Sequence, residues 1–292
     1  MNIIRGIHNI KEMNSNSVVT IGNFDGIHLG HQKLFSYIHK IGQEYKIPTI
    51  IILFEPQPLE FLKNKDAPVR ITTFREKIKR ISYFNINKVL CIRFNNFFKS
   101  LREDFKFGFK RTGDFDLLEE FKNKYKFQII KIKSLYKNNI KISSTNIRIA
   151  LSQNKIKLAS LLLGRSYSIF GKVVHGNAIG RRIGYPTANI SLKKYSFLKN
   201  GVYAVKVRYL SNQICTGICN IGIKKNFFST KKNRILEVYL FDQNINLYGK
   251  YIEVILYKRI RDEKIFISTK ELQNQIYQDI LIVKNFFEIY KN

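Results

Sequence analysis

The sequence is poor in cysteine, in long apolar runs and in acid, and each shortage removes a class of protein. Its three cysteines, Cys91, Cys215 and Cys219, are odd in number and form no CxxC pair. That excludes a disulfide framework or a zinc ribbon and reads as reduced thiols in or beside strands of a cytoplasmic protein. No apolar run reaches the roughly eighteen residues of a membrane span. The start, "MNIIRGIHNI", lacks the apolar segment of a secretion signal. Neither an internal repeat nor a low-complexity linker is present.

Against 51 Lys and Arg stand 21 Asp and Glu, a formal net charge of +30. Such a charge attracts nucleic acid. Yet the lysines are scattered among Ile and Asn, not gathered into an arm or stripe, and zinc-finger spacing is absent. So is the Gly-Phe motif of an RNA-recognition sheet. The expectation is no specific nucleic-acid partner and no membrane. A length of 292 residues, 45% of them hydrophobic, suits two globular domains, each with its own core.

What is present begins with "GNFDGIHLGH", residues 22–31, directly after the β-branched run Val18-Val19-Thr20-Ile21. A strand running into a glycine turn, then Leu29, Leu34 and Ile38 at helical spacing, places His28 and His31 on one face of a first helical turn. Unpaired N–H groups there favour an anion, and Gly30 lets a phosphate come close. Three readings fit the spacing: a turn with two hydrogen-bonded histidines, a zinc site, or a nucleotide-phosphate site. Zinc lacks a third nearby ligand and the Glu of HExxH. The phosphate reading accounts for strand, glycines and histidines together.

The first half alternates strand candidates at 17–22, 47–54, 88–94 and 126–132 with helical patterns from Leu29 to Tyr45 and from Thr73 to Ser82. This alternation implies a parallel α/β sheet whose ligand site lies at the carboxyl ends of the strands. After the helical stretch Ile147–Leu163, short strands alternate with turns, as in a small antiparallel barrel, with a closing helix from about Lys270 to Ile289. The boundary expected is 1–163 for an N-terminal Rossmann-like domain and 164–292 for the barrel.

In the second half "GNAIGRRIGYPTANI", 176–190, has too many glycines for a barrel strand and suggests a loop against phosphate. Thr187 and Asn189 offer neutral oxygens of the kind Mg2+ accepts beside water and phosphate, although Pro-Thr and Ala-Asn are also ordinary turn chemistry. In "RILEVYLFD" strand alternation puts Glu237 on one face with Tyr239 and Phe241. If that face lines the barrel interior, Glu237 is a candidate general base for a hydroxyl proton. The other reading is an outward Glu paired with a lysine.

Taken in order, "GNFDGIHLGH", "FEPQP" (54–58), "REK" (75–77), "EDFKFG" (103–108), "ISSTNIR" (142–148), "GRRIGYPTAN", "GVYAV", "NIG", "LEV", "LYGK" and "IRDEKIF" resemble the prokaryotic bifunctional riboflavin kinase / FMN adenylyltransferase, or FAD synthetase, family over nearly the whole length. The resemblance implies a nucleotidyltransferase-like domain and a flavokinase-like barrel. The reactions implied are ATP plus riboflavin to FMN and ADP, then ATP plus FMN to FAD and pyrophosphate. It also implies Mg2+, ATP as co-substrate and no tightly bound zinc. Residue by residue, it gives His28 and His31 the triphosphate, in a pocket shaped by Gly22, Asn23, Phe24, Asp25, Gly26 and Gly30. Ser143, Ser144, Thr145 and Arg148 match a segment closing over phosphates, and Asp104, Phe105 and Phe107 a flavin or nucleotide loop. Gly180, Arg181, Gly184 and Pro186 match the kinase ATP loop, Thr187 and Asn189 its magnesium ligands, and Glu237 its base.

Two departures stand out. After "NIG" the chain reads "IKKNFF", so Lys224, Lys225 and Asn226 replace the family's Thr-x-Pro-Thr-Phe-like run. After Leu101 it passes straight to "REDFKFG", where the family has a further helix and strand. The missing strand would lie beside the one bearing "GNFDGIHLGH", and segment 126–132 is the candidate to move in and replace it. An alternative function follows: kinase alone, with adenylyl transfer impaired.

Overall fold

The computed structural model describes all residues except 11–15, 64–65, 97–114, 177–178, 193–196, 211–212, 227–228, 244 and 290–292. Contacts divide the chain into two compact units, Met1–Pro68 with Phe74–Ile142 and Val69–Thr73 with Ser143–Asn292.

The first unit is a parallel sheet of four strands, β1 (Asn2–Arg5), β2 (Val18–Ile21), β3 (Thr49–Phe54) and β4 (Lys88–Ile92), in the order β1-β4-β3-β2. Helix α1 (Leu29–Glu44) follows β2, and α2 (Pro58–Lys63) and α3 (Phe74–Ile81) follow β3. Phe35 and Ile38 of α1, Ile51 and Leu53 of β3, Ile81 of α3 and Val89 of β4 form one buried cluster with Phe24 and Ile27 of the turn. Each contributes about 1.5–3 kcal/mol by leaving water. The apolar face of α1 thus fixes the turn and the sheet to each other.

The expected strand at 126–132 does not form. A helix, α4 (Phe115–Tyr125), precedes it, and the chain then runs without regular structure to a short hairpin, β5 (Tyr136–Lys137) with β6 (Ile140–Lys141), turned by left-handed Asn138 and Asn139. Segment 126–132 is largely exposed, and apolar alternation without a partner ladder does not hold a strand. The fourth place is taken instead by β1, pairing in parallel with β4 from Asn2↔Lys88 to Arg5↔Cys91. Among the described residues β2 pairs only with β3 and lies at the sheet edge, with Val19 41% and Ile21 56% exposed.

In the second unit the stretch 147–163 is two helices, α5 (Ser144–Ser152) and α6 (Ile156–Leu163). They precede a closed barrel of β7 (Ser168–Val174), β8 (Thr187–Ser191), β9 (Gly201–Tyr209), β10 (Gln213–Asn226), β11 (Ser229–Leu240) and β12 (Tyr251–Arg261), in the order β10-β11-β8-β7-β12-β9. A short helix, α7 (Ile179–Arg182), interrupts the glycine-rich connection, and α8 (Thr269–Ile289) closes the chain. Cys91 lies in β4, Cys215 and Cys219 in β10, and all three are free thiols.

Leu236, Val238 and Leu240 are buried along one face of β11, in register with Ile190 of β8 and with Ile221 and Cys219 of β10. These aliphatic rows fill the barrel. The opposite face carries Val202, Ala204, Ile218 and Phe241, and Val283 and Phe287 of α8 pack on it. Helix and barrel are also joined by a charge pair, Arg261 holding both carboxylate oxygens of Asp279 at 2.7–3.0 Å. The Asp279 side chain is 3% exposed. Removing one partner of a buried pair strands the other, so Asp279→Ala should cost the barrel about 3–5 kcal/mol, measurable by urea denaturation.

Candidate functional site

In the first unit β2 ends at Ile21, and the turn that follows is bent by left-handed residues: Phe24 at φ 44°, Gly26 at 83° and Ile27 at 42°. For a β-branched residue such as Ile27 that conformation is strained, and packing in the core holds it. His28 is the N-cap of α1, its Nδ1 accepting the His31 amide at 3.3 Å. The two imidazoles stack with centroids 3.6 Å apart. A side chain at Gly30 would press on His28, its Cβ 3.2 Å from the ring, so glycine keeps this approach open. The expected association of His28 and His31 at the first helical turn is present.

The His31 imidazole is partly buried. Burial first, then the charges of His28 and Lys77, push it well below its usual value. Its Nδ1 has no hydrogen-bond partner. Lys77 of α3, only 1% exposed, donates from Nζ to the Asn23 carbonyl. "REK" marked the position in sequence, but nothing there assigned it to the turn.

Ser143 is the N-cap of α5 and accepts the Asn146 amide at 3.2 Å. Arg148 donates from Nε to the Val69 carbonyl at 2.6 Å. Both belong to the second unit, as do Ser144 and Thr145 on the first turn of α5. Asp104, Phe105 and Phe107 lie outside the described residues.

The second unit holds a more complete constellation. Register pairs Glu237 with Asn189 and Tyr239 with Thr187, and on the other side Glu237 with Asn220. Directly paired residues share a face, so Thr187, Asn189 and Glu237 project together. That face is not the barrel interior expected for Glu237. Alternation gives the interior to Leu236 and Val238, and Glu237 points with Tyr239 and Phe241 to the outer wall covered by α8.

A cavity of about 310 Å³ opens there, lined by Glu237, Thr187, Tyr239, Ile183, Phe266 and Leu272 among others. A second, of about 350 Å³, is lined by Thr187, Arg181, Pro186, Asn246 and Tyr248 among others. Thr187 lines both. Phe266, Leu272 and Tyr248 had no assigned role in the sequence; "IRDEKIF", "LYGK" and the apolar spacing of the last helix were the available signals.

Close packing explains Gly176 and Gly180. A Cβ on Gly176 would lie 2.5 Å from Asn189 Nδ2, and one on Gly180 2.3 Å from the Tyr185 carbonyl. Asn189 is 4% exposed, and its Oδ1 is buried without a hydrogen-bond partner. A buried carbonyl oxygen left unsatisfied beside a hydroxyl and a carboxylate fits a hard divalent cation.

The His31 displacement has a pH consequence. Its folded-state value lies below the unfolded one, so stability is complete above about 6.5 and falls as acid protonates only the unfolded chain. One such group contributes a slope of at most about 1.4 kcal/mol per pH unit. Between pH 6.5 and 5.5 the unfolding free energy of His31→Gln should fall less steeply than that of the unaltered chain, by denaturant titration at each pH.

Among the described residues no helix is long and apolar enough to cross a membrane. The riboflavin kinase family model matches residues 163–287, and the FAD synthetase model matches 10–103 and 101–146. The bifunctional riboflavin kinase/FMN adenylyltransferase of Buchnera aphidicola from Acyrthosiphon pisum is 62% identical over 313 aligned positions, with 100% of both chains covered. The protein of that name from Escherichia coli K12 is 38% identical, covering 100% of this chain and 99% of its own. Alignments of 313 positions against 292 residues carry about twenty that this chain lacks. The FAD synthetase match breaks at 101–103, where the sequence passes from Leu101 to "REDFKFG". A crystal structure described as a macrolide-efflux protein from Streptococcus pneumoniae superposes with TM-score 0.77 at 27% identity, covering 98% of this chain and 99% of its own. With relatives matching from end to end and both family models in sequence order, the chain belongs to the bifunctional riboflavin kinase/FMN adenylyltransferase family.

Proposed function

We propose that the chain makes FMN from riboflavin and FAD from FMN, using ATP in both steps, with 164–292 as the kinase and 1–163 as the adenylyltransferase. One observation carries the kinase assignment: two cavities share Thr187, and Glu237 lines one of them. The largely apolar cavity takes the flavin ring and the other takes ATP, so the flavin hydroxyl and the γ-phosphate meet at Thr187. Glu237 accepts the hydroxyl proton as the oxygen attacks the γ-phosphorus. The new O–P bond replaces the bond to ADP, which leaves. Thr187 and Asn189 would hold Mg2+, which when bound neutralises phosphate charge. Little else is required, because this transfer depends on alignment and charge.

In the first unit the turn and the two imidazoles bind the triphosphate of ATP. A phosphate oxygen of FMN attacks the α-phosphorus, and pyrophosphate leaves. The carried-over roles of Ser143, Ser144, Thr145 and Arg148 belong to this step. Riboflavin, FMN, FAD and ATP are the partners, and the compartment is the cytoplasm, with no membrane and no specific nucleic acid.

A second reading, kinase alone, is favoured by β2. Among the described residues no strand pairs with its outer edge, and Val19 and Ile21 are exposed; the resemblance implies another strand at that edge. Displacing a positioned site by even about 1 Å can cost on the order of 10²-fold.

Purified protein supplied with FMN, ATP and Mg2+ should yield FAD; none at all would favour the kinase-only reading, and inserting a family-like helix and strand after Leu101 should then restore it. Glu237→Gln should slow FMN formation by roughly 10²–10⁴-fold and leave FAD formation from supplied FMN unchanged. Near-normal riboflavin conversion by that variant would remove Glu237 as the base. His28→Ala and His31→Ala should do the reverse. Stoichiometric zinc lost on either substitution would replace the phosphate reading.

A further inference from the structure

We propose that Lys77 is a positioning residue of the nucleotide site: its ammonium, carried on α3, holds the Asn23 carbonyl and so sets the turn that presents His28 and His31. The inference deepens the reading of the first unit as an adenylyltransferase and rests on it.

A lysine is among the side chains least often buried, and this one is 1% exposed within the first unit. Its helix has ordinary reasons to pack there, since Phe74, Ile78 and Ile81 join the core cluster. Packing alone would be served by Met or Leu, and an ammonium out of water is costly. Among its contacts the ammonium donates to the main chain of the turn, through Nζ to Asn23 O. The residue after that carbonyl is Phe24, whose left-handed φ of 44° begins the bend. A donor on the carbonyl just before a strained residue fixes the peptide plane from which the bend starts.

The same charge lies behind the imidazoles. The titratable or charged groups reaching His31 are His28 from the turn and Lys77 from α3, and both lower its proton affinity. The Phe24 and Phe35 rings lie beside it, with centroids at 5.2 and 6.4 Å. A fixed cation in a site of low dielectric stabilises phosphate negative charge in front of it without having to reorganise when the ligand arrives. Lys77 therefore acts through the turn and His31, not by contact with the reacting phosphorus.

Lys77→Met keeps the stem and removes the ammonium. In the full chain, NMR titration of the imidazoles should show the His31 midpoint rising, and the amide signals of Gly22 and Gly26 should move. FAD formation should fall by on the order of 10–10²-fold, in kcat more than in the KM for ATP, with FMN formation unchanged. A merely structural role would leave the His31 midpoint where it was, and an unmoved midpoint overturns the proposal. Where the Met variant does not fold, Lys77→Gln decides. It keeps an N–H donor on a shorter stem and lacks the charge, so a raised His31 midpoint is expected, and an unchanged midpoint again overturns the proposal. Absence of FAD formation by the unaltered chain would defeat the adenylyltransferase reading alone, because the titration judges Lys77 without turnover.

Discussion

The period of two along β11 governs the kinase half. Leu236, Val238 and Leu240 must fill the barrel, so the residues between them are driven to the outer wall. There Glu237 meets Asn189 and Asn220 across the ladder, and Tyr239 meets Thr187. A one-residue slip in that register would carry Glu237 into an aliphatic interior and a leucine into the cavity. The helix α8 completes the arrangement: its aromatic and aliphatic side chains cover the outer wall, and the Arg261–Asp279 pair fixes it to β12. The cavity exists because the helix covers part of that wall and leaves the polar row open.

The first unit is ordered by a different constraint, the geometry of one turn. Phe24 and Ile27 are core residues as well as bend residues. The energy that packs the domain thereby holds a backbone that an isolated peptide would abandon. The helix cap follows from the same bend: His28 accepts the His31 amide because the turn delivers it to the N-cap position. The two imidazoles are thus placed by the backbone, whose Asn23 carbonyl accepts a hydrogen bond from Lys77.

This division explains what sequence could and could not reveal. Strong alternation and glycine punctuation made five of the six barrel strands legible, Ser168–Val174 to its ends, whereas β8 (Thr187–Ser191) fell inside the stretch read as a glycine-rich loop. Grouping Glu237 with Tyr239 and Phe241 was also legible, because it depends only on the period. Which side of the sheet that group faces was not, since a closed barrel wrapped by a helix is apolar on both faces. The run "KFQIIKI" shows the converse failure: it alternates as a strand should, but a strand exists only with a partner, and none of the described strands pairs with it. The β1 strand, four residues long, carries too little pattern to announce itself. Lys77 shows the limit for site residues, because burial of a lysine is a tertiary fact.

The excess of basic residues takes on a different meaning beside these sites. Read from composition, +30 resembles the footprint of a nucleic-acid partner. The substrates of the proposed reactions are themselves anions, ATP in both steps and FMN in one. A positive field raises the encounter rate of any such ligand without a dedicated stripe. Scattered lysines suffice for that purpose, whereas reading a nucleic acid would require them aligned with a groove. In the proposed reactions specific binding is left to local devices, an N-capped helix in one unit and a glycine-lined strand end in the other. Charge brings the phosphates in, and the backbone decides where they stop.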